Sequence, residues 1–325
     1  MGKEIDFRGL HFSSTVVDAH CDTLTALGKQ GRRLGQRSVK GHVDLPRLVD
    51  GGVNVQFFAA FIDPLYRDNP LARAMEIFDV LFGEMEDNGG AVGLVKAYSD
   101  IERFISEKKV AALLSVEGGE ALAGRIEVLR VFYQLGVRSI TLTWNGRNEL
   151  GDGVAEAGSG GGLTRFGAAV VREMNRLGML VDVSHMAGKG FRDVLEESSK
   201  PVIASHSNCR KLCSHPRNLD DDQIKALAAG GGVVGLCFYP YFLDDGGTAT
   251  LDRLLDHAEH MACVAGVDCI GIGSDFDGIE AVVPDLYDVT CLPLVTEGLL
   301  KRGFSSGEVE KILGGNFLRV MKQVL

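Results

Sequence analysis

The sequence predicts an α/β fold: one (β/α)8 TIM-type barrel over residues 1–325, with extra helices after the last strand. Three observations predict it. Eight short runs rich in Val, Ile and Leu alternate with helix-like stretches over about 260 residues, the length of such a barrel. Metal-compatible side chains stand at the C-terminal ends of five of those runs. Composition, 45% hydrophobic and 24% charged, is that of a globular chain with a sizeable core. A doubly wound open sheet would also alternate. It gives no reason for polar residues on the first, third, fifth, sixth and eighth runs, whereas a barrel brings all its strand ends to one mouth.

The runs are VVDAHCDT from Val16, VNVQFFAAF from Val53, VAALLSVEG from Val110 and VRSITLTWN from Val137. LVDVSH from Leu180, PVIASHS from Pro201, GVVGLCFYP from Gly232 and CIGIGSDFDG from Cys269 follow. Near-continuous apolar runs of this kind are buried parallel strands. Between them, ARAMEIFDVLFGEME, RIEVLRVFYQLG, FGAAVVREMNRLG and DDQIKALAAGG carry apolar residues at three- and four-residue spacing. Gly136, Gly178 and Gly230 are expected C-caps, and Asp220 and Asp222 mark a helix N-terminus. Residues 293–325 read as further helices, with Asn316 capping the last. The Gly-rich stretches 151–163 and 243–250 read as mobile loops at the mouth.

The net charge of −10 argues against nucleic acid as a partner, which needs a basic stripe. The start MGKEIDFRGLHF has no apolar leader core, and Asp6 breaks the myristoylation pattern. There is no 18-residue apolar stretch, so no membrane span is expected. Seven scattered cysteines, an odd number, fit a reducing cytoplasm. Cys209 and Cys213 have no second pair to complete a zinc knuckle. Cys21 points away from its neighbours along a strand and is expected to pack.

His20 and Asp22 alternate onto one face, roughly 6–7 Å apart at the backbone. An imidazole and a carboxylate there suit a metal such as zinc. Glu117 ends the third run and has two oxygens that can bridge two ions. His185 and His206 end neighbouring runs, with Ser184 and Ser205 beside them as supports. Taken singly, each of these residues is more often structural than ligating; their convergence on one mouth reverses that balance. Five ligands and a spare aspartate suit two metals about 3.5 Å apart and an activated water facing a carbonyl, the chemistry of amide or ester hydrolysis. Asp275 is placed to carry a proton to the leaving amine. Asp277 is the weaker candidate. Arg217 can clamp a substrate carboxylate, or else pair with Asp220 or Asp221 on the surface. His215 falls in a turn, and His11, His42, His257 and His260 are read as structural.

The segments DAHCDT, VEGG, LTRFG, VVREMNRLGMLVDVSH, PVIASHSN, HPRNLDD, FYP, GIGSDFDG and GGN run in order from residue 17 to 316. In these the chain resembles the membrane dipeptidases, zinc peptidases related to the amidohydrolases. The resemblance implies two Zn2+ ions per chain: His20 and Asp22 on one, His185 and His206 on the other, Glu117 between them. It makes Asp275 the general acid/base and Arg217 the holder of a dipeptide's C-terminal carboxylate, with Tyr239 of FYP a further substrate contact. The ligand set alone would tolerate manganese, iron or cobalt. Many members carry a histidine where this chain has Trp144. Its indole donates one hydrogen bond, and Asn145, Arg147 or Asn148 are the candidates for the missing donor. Dimers are common in the family. Its animal members are secreted and lipid-anchored, which this sequence gives no sign of.

The expectation is an intracellular metallo-dipeptidase, active on dipeptides including L-Xaa-D-Xaa. A second reading is another binuclear amidohydrolase, acting on N-acyl amino acids or cyclic amides. A non-catalytic barrel would be expected to have lost ligands.

Overall fold

The computed structural model describes residues 6–325, so the part of the N-terminal reading that rests on residues 1–5 lies outside the described residues. Among the described residues nine strands occur in order: β1 Val16–Asp18, β2 Val53–Phe61, β3 Val92–Leu94, β4 Val110–Glu117, β5 Val137–Thr141, β6 Leu180–Asp182, β7 Ile203–Ala204, β8 Val233–Leu236 and β9 Ile270–Ile272. Every pairing is parallel. Eight strands close in the order β1-β2-β4-β5-β6-β7-β8-β9, and β9 returns to β1 through Asp18 and Ile272. These eight are the eight apolar runs.

β3 is the strand that the sequence did not reveal. It pairs with Val110–Ala112 at the start of β4, below the point where β5 takes over at Leu114. Three residues, VGL, are too few to carry a period.

The pleat of β4 divides its side chains between two buried clusters. Ala112, Leu114 and Val116 pack in the larger cluster, with the surrounding helices. Ala111 and Leu113 face inward with Val17, Phe57 and Ile203, and there they meet Phe317, Val320 and Met321. The C-terminal helix therefore plugs the base of the barrel. Gly271 permits the contact: a Cβ there would lie 2.3 Å from the Phe317 ring. Asn316 is not the expected cap. Helix continues from Ser306–Glu310 through a π-helical turn, Lys311–Gly315, into Asn316–Val324, so no N-terminus exists to be capped. Its amide instead donates to the Val267 and Ile270 carbonyls, each at 2.8 Å, and ties the plug to the foot of β9.

The four periodic stretches form helices Pro70–Asn88, Ile126–Leu135, Arg165–Leu177 and Asp221–Ala229. Asp220 caps the last, its carboxylate accepting from the Gln223 backbone at 2.8 Å. Gly136 and Gly178 are left-handed as expected of C-caps; Gly230 is not, and Gly231 at φ 77 makes that turn instead. No helix among the described residues is long and apolar enough to cross a membrane.

Candidate metal centre and substrate pocket

Glu117 ends β4 and is the one candidate ligand inside a strand. The others follow strand ends. His20 lies two residues beyond β1 and His206 two beyond β7; His185 and Asp275 lie three beyond β6 and β9. Asp22 has already left the strand and is the N-cap residue of the next helix. The backbone at His185 and Asp275 is left-handed, with φ 69 and 67. A non-glycine residue held there costs about 1–2 kcal/mol, and such strain clusters at functional sites.

The barrel brings all six side chains together. Glu117 Oε2 lies 3.4 Å from His20 Nε2, while its Oε1 lies 2.8 Å from His185 Nε2 and 3.6 Å from His206 Nε2. Glu117 thus stands between the two halves of the cage. Asp22 and Asp275 reach His20 Nε2 at 3.4 and 3.9 Å. Two sets of donor atoms lie within 4.8 Å of one another: His20 with Glu117 and His206, and His20 with Asp22 and Asp275. Asp275 therefore sits among the candidate ligands as well as beside them. Gly278 makes room: a Cβ there would be 2.1 Å from Asp22 Oδ2 and 2.7 Å from Asp275 Oδ1.

The donor chemistry fits metal ions. His20 Nε2 and Asp22 Oδ1 are buried with no hydrogen-bond partner. His185 Nδ1 donates to Asn145 Oδ1 at 2.8 Å, so its Nε2 carries a lone pair. His206 Nδ1 faces Ser205 Oγ at 2.8 Å, and the two Nε2 atoms are 2.9 Å apart. Lone pairs crowded against a carboxylate oxygen call for a cation. Burial, with Arg217 adding to it, lowers His185 to about 4; burial and His20 put His206 well below its ordinary value. Both shifts favour the neutral ring that ligation requires. Burial pulls His20 down, but Glu117 and Asp22 outweigh it and raise it well above its usual value. Burial alone would raise Glu117; the nearby imidazoles, His20 foremost, hold it low. Burial and Glu117 lift Asp22 to about 6.

Burial lifts Asp275 to about 7; His20 opposes the shift, and Asp22 and Glu117 reinforce it. That value suits a group that exchanges a proton near neutrality. Asp277 is committed elsewhere. Arg32 at 2.6 Å, Thr23 at 2.7 Å and the His42 backbone at 2.7 Å all donate to its carboxylate.

Arg217 is 3% exposed and has no carboxylate partner among the described residues. The alternative surface pairs do not form: Asp220 caps a helix and Asp221 faces His260. One guanidinium nitrogen donates to the His206 carbonyl at 3.1 Å, and Nε has no partner. The side chain lines a cavity of about 400 Å³ with Asp22, Glu117, His185 and Asp275. Trp144 and Asn145 line it too, as does Tyr239, whose hydroxyl donates to Glu280 at 2.5 Å. Trp144 packs between Phe61 and His185, at 5.5 and 5.9 Å between ring centres.

Arg147 and Asn148 do not replace the family histidine. Arg147 pairs with Asp152 at 2.5 Å, and Asn148 donates to Glu120 and to the Leu142 carbonyl. Asn145 is occupied with His185. Residues 151–163 are not a free loop: Val154 N donates to the His185 carbonyl and Ala187 N to that of Asp152, pinning the stretch against the ligand turn. Sequence reasoning also missed His215, Phe61, Lys29 and Glu280 in the cavity wall, and the buried aspartates Asp18 and Asp182 beneath the cage. The aspartates did leave a signal, a carboxylate interrupting an apolar run two or three residues before a ligand histidine.

Comparison with known proteins agrees with this geometry. The family model for membrane dipeptidase, peptidase family M19, matches residues 5–325. The chain is 37% identical over 297 residues to dipeptidase verJ of Clonostachys rogersoniana, covering 87% of this chain and 76% of that one. It is 35% identical over 343 residues to human dipeptidase 3, covering 99% and 68%. Among crystal structures, the metallopeptidase dipeptidase AC superposes with a TM-score of 0.89 at 27% identity, covering 96% and 98% of the two chains. A Rhodobacter sphaeroides metallopeptidase, bound to a phosphinate mimic of the dipeptide L-Ala-D-Ala, gives 0.89 at 26%, covering 96% and 99%. The unpaired donors, the buried guanidinium and the matched sequence converge: the chain belongs to the membrane dipeptidase family and is a metal-dependent dipeptidase on a closed eight-stranded barrel.

Proposed function

We infer that the chain hydrolyses dipeptides with two zinc ions, held by His20 and Asp22 on one side and His185 and His206 on the other, with Glu117 shared. Imidazole and carboxylate donors in this number suit zinc. When bound, the metal pair polarises the scissile carbonyl and acidifies a water.

The chain's own groups do the rest. Arg217 takes the dipeptide's C-terminal carboxylate, the partner its buried guanidinium lacks. That single observation carries the substrate reading, because a buried cation unpaired inside a cavity asks for an anionic ligand. Asp275 carries a proton to the leaving nitrogen. Its side chain faces the cavity, and the Cys237 thiol donates to its second oxygen at 3.5 Å. Trp144 and Phe61 shield one wall, and Tyr239 shapes the other. The site reads a free carboxylate at short range rather than an extended backbone. Together with the L-Ala-D-Ala mimic held by the Rhodobacter protein, this supports turnover of L-Xaa-D-Xaa dipeptides. All seven cysteines are free and six are buried, which supports a reducing compartment, the cytoplasm.

The test is a dipeptide panel turned over by metal-replete protein and by Arg217→Ala. Truncating one partner of a buried charge pair costs about 2–5 kcal/mol, so kcat/KM for dipeptides should fall roughly 30-fold or more, chiefly through KM. Amidated dipeptides, which lack the carboxylate, should lose little. Equal losses on both would refute the clamp.

A further inference from the structure

The two halves of the cage are supported differently. Asp182, the last residue of β6, is 1% exposed. It accepts four hydrogen bonds: from Ser184 N at 3.0 Å, Ser205 N at 2.9 Å, Thr141 Oγ1 at 2.5 Å and Ser205 Oγ at 2.5 Å. The Ser205 hydroxyl has one proton, and that proton goes to Asp182. Towards His206 Nδ1, 2.8 Å away, it is an acceptor. His206 is therefore protonated at Nδ1 and presents a bare Nε2 to the cage. Its backbone N–H donates to Ser184 Oγ at 3.1 Å, which fixes the residue from the other side.

The other half has no such relay to its imidazole. Asp18 lies beneath it and accepts from Ser274 N at 2.8 Å, Ser274 Oγ at 2.7 Å and Gln56 at 3.0 Å. Ser274 Oγ, its one proton given to Asp18, accepts from Phe276 N at 3.2 Å and does not reach the His20 ring. This network holds backbone; the Asp182 network holds a ligand's tautomer.

We propose that Asp182, acting through Ser205, is a positioning pair that locks His206 in its ligating tautomer and makes the His185–His206 position the tighter of two unequal metal positions. The proposal rests on the two-metal reading above. Outer partners of ligating histidines typically change metal affinity 10–100-fold when removed.

Metal-free full-length protein titrated with Zn2+ against a competing chelator reads this directly. The parent should bind two equivalents of different affinity. Ser205→Ala should weaken the tighter one about 10–100-fold and leave the other within about 3-fold, and Ser205→Thr, which keeps the hydroxyl, should restore it. Histidine 15N NMR of the metal-free parent should show His206 protonated at Nδ1. A folded Ser205→Ala that binds both equivalents like the parent overturns the proposal, as does a loss confined to the weaker one. An Nε2-protonated His206 in the parent overturns it whether or not the variant folds. Failure of the parent to bind metal would instead remove the metal reading beneath it.

Discussion

The two ends of the barrel are built to opposite rules. At the base, Phe317, Val320 and Met321 fill the space between the strands, and the Asn316 amide satisfies the Val267 and Ile270 carbonyls at the foot of β9. At the mouth, His20 Nε2, Asp22 Oδ1 and Arg217 Nε are buried without partners, and His185 and Asp275 hold left-handed backbone. Burying a polar atom without a hydrogen bond costs about 1–3 kcal/mol, so the mouth is unfavourable by itself. The base supplies stability that the mouth spends on holding its groups ready.

Variants at the two ends should therefore separate activity from stability. The largest effect is expected from Asp275→Asn. Removing a positioned general acid should lower kcat by roughly 10²–10⁴-fold, while metal content and melting temperature stay at the parent's level. Steady-state kinetics beside a thermal melt checks it; a variant as active as the parent would reassign the proton carrier. Next comes Phe317→Ala. Its ring is fully buried, 6.1 Å from that of Phe57, and truncation should cost about 3–5 kcal/mol in a denaturant titration. Activity per folded molecule should be unchanged. A fall in kcat without a fall in stability would mean that the plug reaches the site.

The difference between the ends also explains what was legible in the sequence. Fully buried parallel strands leave unbroken apolar runs, so all eight barrel strands could be read. The convergence of the candidate ligands could be read because a His or Glu after such a run has few structural explanations when five share one mouth. The register and the ending of each element were not legible. β7 is only Ile203–Ala204, so His206 sits beyond the strand. Asp22 had turned into a helix, and Gly231 rather than Gly230 made the left-handed turn. These depend on local hydrogen bonds that a periodicity does not encode. Asn316 resembled a cap because the π-helical continuation before it left no trace in its residue types. The stretch 151–163 resembled a free loop because its ties are backbone bonds to the His185 turn, which any sequence could make. Arg147 and Asn148 were the right residue types in the wrong place: both face Asp152 or Glu120 rather than the cavity.

The contrast depends most on the mouth being a site for two metal ions rather than an ordinary polar pocket. Metal content per chain, measured by elemental analysis on protein purified without chelator, tests this most directly. About two equivalents per chain are expected, as a two-ion cage requires, falling to about one in Asp22→Ala. Zero or one equivalent in the parent, with dipeptide turnover intact, would contradict it.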